Sequence, residues 1–362
     1  MLALILAAVV QANSLTPVRE FEYPFIEYRD LSYAHDGQYD YLGMPDGLYR
    51  STDLLDPSAP LERIALTGRP VSAIAVAHGK LFVQTGEEGY PEENMGYSEE
   101  NTVFRSNDQG RTLIPIDSDL RICSKDGGDC ASVAGRQLIA DGDRLFLHAA
   151  GNLMVSADEG EHWQQLTGWQ FHGRPRPTYC WTMNFEVMGD RVLTGGGDDC
   201  ISMVMGKLSP DRLSWTEGKY VLTVDDEHVN VIRRVSNETV FAGMRFGGVW
   251  RSDDSGETFR SVWDGDRRFF GPPTITHLMA SQAWPGVVLA GGPGVLGCSS
   301  DGGETFEFCD WLLKPIKGST TTASYVVLFG ENRRGEMIVG LRLRNRFVIA
   351  KVGVANPRRR AN

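Results

Sequence analysis

The 362-residue chain carries 36 Lys and Arg against 47 Asp and Glu, a formal net charge of -11 at pH 7. That balance, with a pI near 5.2, excludes nucleic acid as a partner, because phosphates demand a basic footprint. Read in chain order, the sequence opens on a wholly apolar run, Leu2 to Val10, followed by Gln11-Ala12-Asn13-Ser14. The run is too short to span a bilayer and ends on a small residue at a cleavage point. Residues 1–12 therefore read as a secretory signal peptide, and the chain as secreted or periplasmic with no membrane span. The alternative is a buried terminal strand.

An apolar run, a polar turn and a second apolar run ending near Gly then recur seven times: Phe25 to Gly43, Val71 to Thr85, and residues 136–149, 181–196, 229–244, 274–292 and 324–341. The turns Asp141-Gly142-Asp143, Met188-Gly189-Asp190 and Ser236-Asn237-Glu238 carry hairpin chemistry. The last copy stops after a third strand, Phe347 to Val352. Thr16 to Tyr23, ahead of the first copy, is expected to supply the missing fourth strand and close the ring, which also removes exposed strand edges. Residues 13–355 then form one domain, and 356–362, with Arg358-Arg359-Arg360, a basic tail.

A hairpin signature repeats four times: Ser106-Asn107-Asp108-Gln109-Gly110-Arg111-Thr112-Leu113, Ser156-Ala157-Asp158-Glu159-Gly160-Glu161-His162-Trp163, Ser252-Asp253-Asp254-Ser255-Gly256-Glu257-Thr258-Phe259 and Ser299-Ser300-Asp301-Gly302-Gly303-Glu304-Thr305-Phe306. The turn needs one residue with positive φ, which Gly supplies, and the Asp accepts hydrogen bonds from the turn's backbone donors. The closing aromatic is expected to bury its ring. Asp108, Asp158, Asp254 and Asp301 are thus structural staples rather than catalytic groups. Their spacings of 50, 96 and 47 residues count a degenerate copy within the long interval, where Trp215 stands at the aromatic position. Upstream, Arg50-Ser51-Thr52-Asp53 keeps the opening of the box and lacks its Gly. A period near 45 residues, built from short strands, predicts four-stranded propeller blades.

The pattern Ser-x-Asp-x-Gly-x-Thr-aromatic resembles the Asp-box, the bacterial neuraminidase repeat of sialidases, sortilin-type receptors, oligoxyloglucan hydrolases and photosystem II assembly-factor propellers. With the count above, it implies an all-β, seven-bladed β-propeller of four-stranded antiparallel blades with Asp-box hairpins, closed by the N-terminal strand. The resemblance also puts the box turns, which join third to fourth strands, at one face. Ligands are then expected at the opposite face, on loops from second to third strands and from blade to blade.

Those loops combine Arg174, Arg176, Arg245, Arg267 and Arg342 with Trp169 and Phe246. Converging arginines hold a carboxylate or sulfate bidentately, and rings stack on sugar faces. The leading reading is a secreted, monomeric binding propeller that recognises an acidic glycan or a protein partner at this rim. The rival is a glycan-cleaving enzyme. Asp198, Asp199, Asp226 and Glu227 supply the carboxyl pair of a sialidase-like glycoside hydrolase, with His228 or Tyr179 for proton transfer. A polysaccharide lyase would use His or Tyr against an arginine-neutralised uronate. The bland reading is that the arginines pair with neighbouring acids.

Six cysteines, an even number, match an oxidising compartment and are expected to pair as Cys123 with Cys130, Cys180 with Cys200 and Cys298 with Cys309. No pair has zinc spacing, and no cofactor is expected. The acidic insertion Glu87 to Asn101 reads as a disordered loop, with a lid, a docking arm or a source of Ca²⁺ ligands as alternatives. Asn237-Glu238-Thr239 is a glycosylation sequon.

Overall fold

The computed structural model describes residues 11–22, 31–86, 102–116, 120, 122–123, 130–131, 137–149, 152–167, 181–197, 202–223, 228–265, 272–309, 314, 324–343 and 346–355. The fold is a seven-bladed β-propeller: seven four-stranded antiparallel sheets, with no helix among the described residues. Blades one to six follow the chain, at residues 32–65, 71–115, 138–167, 181–223, 229–263 and 277–308, each strand paired with the next. The seventh consists of Ser324–Glu331, Met337–Leu343 and Arg346–Ala355, with the N-terminal strand Gln11–Glu22 on its outer side.

That closing strand is longer than the sequence suggests. It begins at Gln11 rather than Thr16, pairing Gln11 with Ala355 and running to Glu22 opposite Arg346. It therefore starts two residues inside the segment read as a leader, and Ala12 is buried. Pro17, which has no N–H to give a ladder, sits at one of its two irregularities. Tyr23 and Phe25 lie outside the described residues, and the first blade is seen from Ser32.

By contact the chain gathers into two compact units, residues 28–242 with 252–259 and residues 1–27 with 243–251 and 260–362. In each, the core lies between the faces of neighbouring blades, because alternate side chains of a strand point to opposite faces. Leu145 and Leu147 join Phe82, Leu120 and Trp163 on the side of blade two, while Phe146 between them joins Phe185 and Val192 on the side of blade four. In the other unit, Leu289, Leu296 and Cys298 of blade six meet Val339, Leu341 and Ala350 of blade seven, with Ala12 and Leu15 of the closing strand.

Polar side chains link successive inner strands within the first unit. Gln137 accepts the Phe185 N–H at 2.9 Å and donates to the Phe185 carbonyl. The Asn184 amide donates to the carbonyl of Val229. Glu186 accepts the N–H of Arg234 at 3.0 Å, and burial pushes its carboxyl up against the pull of Arg233 and Arg234.

Candidate functional site

Each box turn is built around its serine and its aspartate. Ser106, Ser156, Ser252 and Ser299 each donate Oγ–H to the aspartate Oδ1 at 2.7–2.9 Å and accept the glycine N–H at 2.8 Å. The same Oδ1 accepts the N–H of Thr112, His162, Thr258 or Thr305 at 2.8–3.0 Å. Thr258 and Thr305 add a hydroxyl bond to Oδ2, and in the second box the ring of His162 takes that place at 2.7 Å.

These bonds stabilise the charged carboxylate. The Thr112 amide, with the Thr112 and Ser106 hydroxyls, lowers Asp108 to about 2. Burial raises Asp301, but the Thr305 and Ser299 hydroxyls outweigh it and bring it to about 2. An acid that holds its proton so weakly cannot deliver one near neutral pH. All four aspartates hold the serine hydroxyl and a backbone N–H of their own turn.

Two expectations about the turn need correction. Sequence reasoning counts one left-handed residue per box, and there are two in a row: Gln109 and Gly110, Glu159 and Gly160, Ser255 and Gly256, Gly302 and Gly303. The second also leaves little room for a Cβ: one on Gly160 would lie 2.3 Å from Ile116 Cδ1 and one on Gly110 2.5 Å from Ile64 Cδ1, so those side chains would have to shift. The closing aromatic is buried only at Trp163, whose indole donates to the Ile116 carbonyl at 2.8 Å. Phe259 and Phe306 are half-buried, Phe306 stacked on Trp263 at 5.6 Å.

The degenerate copies find substitutes. In blade one, Asp40 on the second strand accepts the Leu54 N–H at 2.7 Å. In blade four, Ser209 donates to Asp211, which accepts the Leu213 N–H at 3.1 Å, with Arg212 in the left-handed region. There Trp215 closes over Gly206. Ser209-Pro210-Asp211 was the legible signal of that box.

An arginine just before the box serine reaches into the following blade. Arg50 donates to the Gln109 carbonyl at 3.0 Å, Arg105 to Glu159 at 3.3 Å and Arg251 to Gly302 at 2.8 Å. The glutamate after the box glycine takes a second hold: Arg105–Glu161 at 2.6 Å, Arg191–Glu257 at 2.9 Å and Arg251–Glu304 at 3.0 Å. Nothing in a single repeat reveals these links, because they join two repeats.

The opposite end of the blades differs. Arg245 is exposed and its guanidinium lies 5.2 Å from the ring centre of Phe246, itself 52% exposed. Thr274 donates its hydroxyl to the Arg245 carbonyl, leaving the guanidinium free of that contact. Among the described residues, Arg245 makes no ion pair, and neither does Arg69. Arg342 stacks over Tyr325 at 5.8 Å. Among the loop acids, Asp46 is engaged by Tyr49 at 2.8 Å and Arg63 at 3.1 Å, and burial together with that carboxylate pushes the Tyr49 phenol up to about 12.

His228 is half-buried, immediately before the inner strand of blade five. The other candidates, Asp198, Asp199, Asp226, Glu227, Tyr179, Arg174, Arg176, Arg267 and Trp169, lie outside the described residues, as does the acidic segment from Glu87. Among the described residues no group of three or more His, Cys, Asp or Glu is arranged to hold a metal ion, and no helix is long and apolar enough to cross a membrane.

Cys298 and Cys309 form a disulfide joining the third strand of blade six to the residue after its fourth, Cα atoms 5.8 Å apart. Cys123 and Cys130 stand opposite one another in a two-stranded ladder. Cys180 and Cys200 lie outside the described residues.

No protein-family profile matches the chain, and no curated protein matches it. Solved structures do. The chain is similar to "YCF48 bound to D1 peptide", with a TM-score of 0.60 and 14% identity over 97% of this chain and 100% of that one. It is similar to YCF48 from Cyanidioschyzon merolae, with a TM-score of 0.61 and 13% identity over 92% and 98%. The WD40 β-propeller domain of Doa1 matches with a TM-score of 0.60 and 11% identity over 95% and 97%. At such identities the likeness is one of fold.

Proposed function

We propose that this propeller is a binding module that recognises an anionic segment of a protein partner at the loop end of its blades. The observation that carries the reading is Arg245: an exposed cation resting on an exposed ring, with no carboxylate of the described residues attached. A guanidinium resting over an aromatic face can still turn its N–H donors to a carboxylate. The propeller similar in fold that carries a bound peptide supports a polypeptide as the ligand. The box family of the repeats, export behind an N-terminal leader, and the Cys123–Cys130 and Cys180–Cys200 disulfides belong to the same reading. The Cys298–Cys309 bond supports an oxidising compartment.

The test is a displayed library of short random peptides selected on the wild-type chain, run beside an array of acidic glycans with product analysis. Enrichment of acidic peptides whose affinity falls about tenfold in Arg245→Ala and weakens with salt is the expected result. Glycan binding alone redirects the site to carbohydrate. Glycan turnover that disappears in Asp199→Asn or Glu227→Gln makes the chain an enzyme instead. Peptide binding indifferent to Arg245→Ala overturns the assignment of the site.

A further inference from the structure

One position of the second strand breaks the repeat in two neighbouring blades. Opposite the serines that open the boxes, Ser51, Ser106, Ser156 and Ser299, stand Asp40, Leu81, Leu145 and Val288. Three residues on, toward the loop end, the chain has Gly43, Gln84, His148 and Gly291. Glycine there is dictated by the neighbouring blade. A Cβ on Gly43 would come within 2.6 Å of Val71 Cγ1, one on Gly291 within 2.7 Å of Val326 Cβ, and one on Gly195, the corresponding residue of blade four, within 2.9 Å of Val229 Cβ. Each of these valines lies near the start of the next blade's inner strand.

Blades two and three put long polar side chains where blades one, four and six leave no room for a Cβ. Gln84 is 0% exposed and His148 is buried. Neither the amide nitrogen nor the amide oxygen of Gln84 has a hydrogen-bond partner. Burying a carboxamide with donor and acceptor both unsatisfied is destabilising. A side chain that both departs from the repeat and works against folding is where a functional constraint is expected.

The chemistry of the missing partner follows from the inventory of the group. A carboxylate would satisfy the NH₂ and leave the oxygen bare, and a cation would do the reverse. A peptide unit satisfies both at once, as a water does, and the experiment below separates the two. The same chain contains that pairing, since Gln137 takes the N–H and donates to the C=O of Phe185.

We propose that the Gln84 carboxamide is a binding subsite for the backbone of an extended polypeptide, gripping the N–H and C=O of one ligand residue as Gln137 grips Phe185. This rests on the reading of the chain as a protein-binding module and adds a sequence-independent contact to the charge contact at Arg245. The amide is shut off from solvent in the unliganded chain, so entry requires opening, and association is slower than the docking of rigid surfaces.

The experiment uses the tightest peptide selected on the wild-type chain, together with its series of singly N-methylated backbone analogues. In Gln84→Leu and in Gln84→Met, chosen for equal length, affinity is expected to fall about tenfold while the melting temperature holds or rises. One N-methyl position is expected to cost the wild type about the same factor and to cost the Leu variant nothing. Binding as tight in both variants as in wild type overturns the subsite. So does a crystal structure with an ordered water on Gln84 and the peptide elsewhere, which makes the site a structural water only. A peptide that depends on Arg245 and not on Gln84 removes the subsite and spares the protein-partner reading, whereas failure to select any peptide removes both.

Discussion

The two ends of the blades treat the same residue type in opposite ways. At the box end, Arg50, Arg105, Arg191 and Arg251 are spent on carbonyls and carboxylates of the following blade. At the loop end, Arg245 is held by a ring and Arg69 has no ion pair among the described residues. Partnered arginines hold repeats in register, and their charge is neutralised locally. An unpartnered one keeps its full field and its donors, which is what recognition needs. Charge count alone does not separate the two populations, because the difference lies in what each guanidinium touches.

The comparison breaks most visibly at Trp163. Trp163→Ala removes a buried ring and its bond to Ile116, and is expected to cost about 3–5 kcal/mol, read as a lower urea midpoint with an unchanged slope. Gly160→Val combines a left-handed backbone with a Cβ 2.3 Å from Ile116 Cδ1. A loss of about 3 kcal/mol is expected there. Equal stability of this variant and wild type would show that the box turn does not set the spacing of the blades. Ser156→Ala removes the hydroxyl that serves Asp158 and Gly160, and about 1–3 kcal/mol of stability is expected to go with it.

Acid sharpens the contrast further. Asp108 and Asp301 are depressed to about 2 from an ordinary value of 3.8. The stability they contribute is present in full above that ordinary value and is lost as pH falls through about 2. Denaturant midpoints of wild type should therefore drop across that window. Asp301→Asn should drop less steeply, and parallel curves would show that the box carboxylates are not held by the turn. The smallest effect belongs to the loop end. Arg245→Ala is expected to change stability by less than about 0.5 kcal/mol, while changing the affinity for acidic peptides. A large loss of stability would make Arg245 a structural residue like those at the box end.

Much of the fold was legible because a repeat reports itself. The strand pairs that begin at Val71, Leu138, Trp181, Val229, His277 and Ser324 fall where alternation and turn residues put them. The closing strand was found through the blade that lacks one, but its first residues were hidden by their hydrophobicity, which suits a leader as well as an edge strand packed on a core. The degenerate box of blade four was counted from its spacing and from Trp215, but its Ser209 and Asp211 were not picked out, because Leu213 stands where the other boxes have glycine. Of the candidate site, sequence reasoning picked out Arg245 and Phe246 by their loop, yet had no way to tell a free arginine from a paired one.

The sequence by itself determined the type and number of the blades, the turn chemistry of the boxes and the disulfide of blade six, since each is set by residues close together in the chain. Only the tertiary structure decided which arginines latch one blade to the next, that Gly110 and Gly160 face isoleucines of the preceding repeat, and that the carboxamide of Gln84 is buried without a partner among the described residues. All three depend on atoms supplied by a different repeat, or on their absence, and no periodicity within one repeat encodes its neighbour's surface.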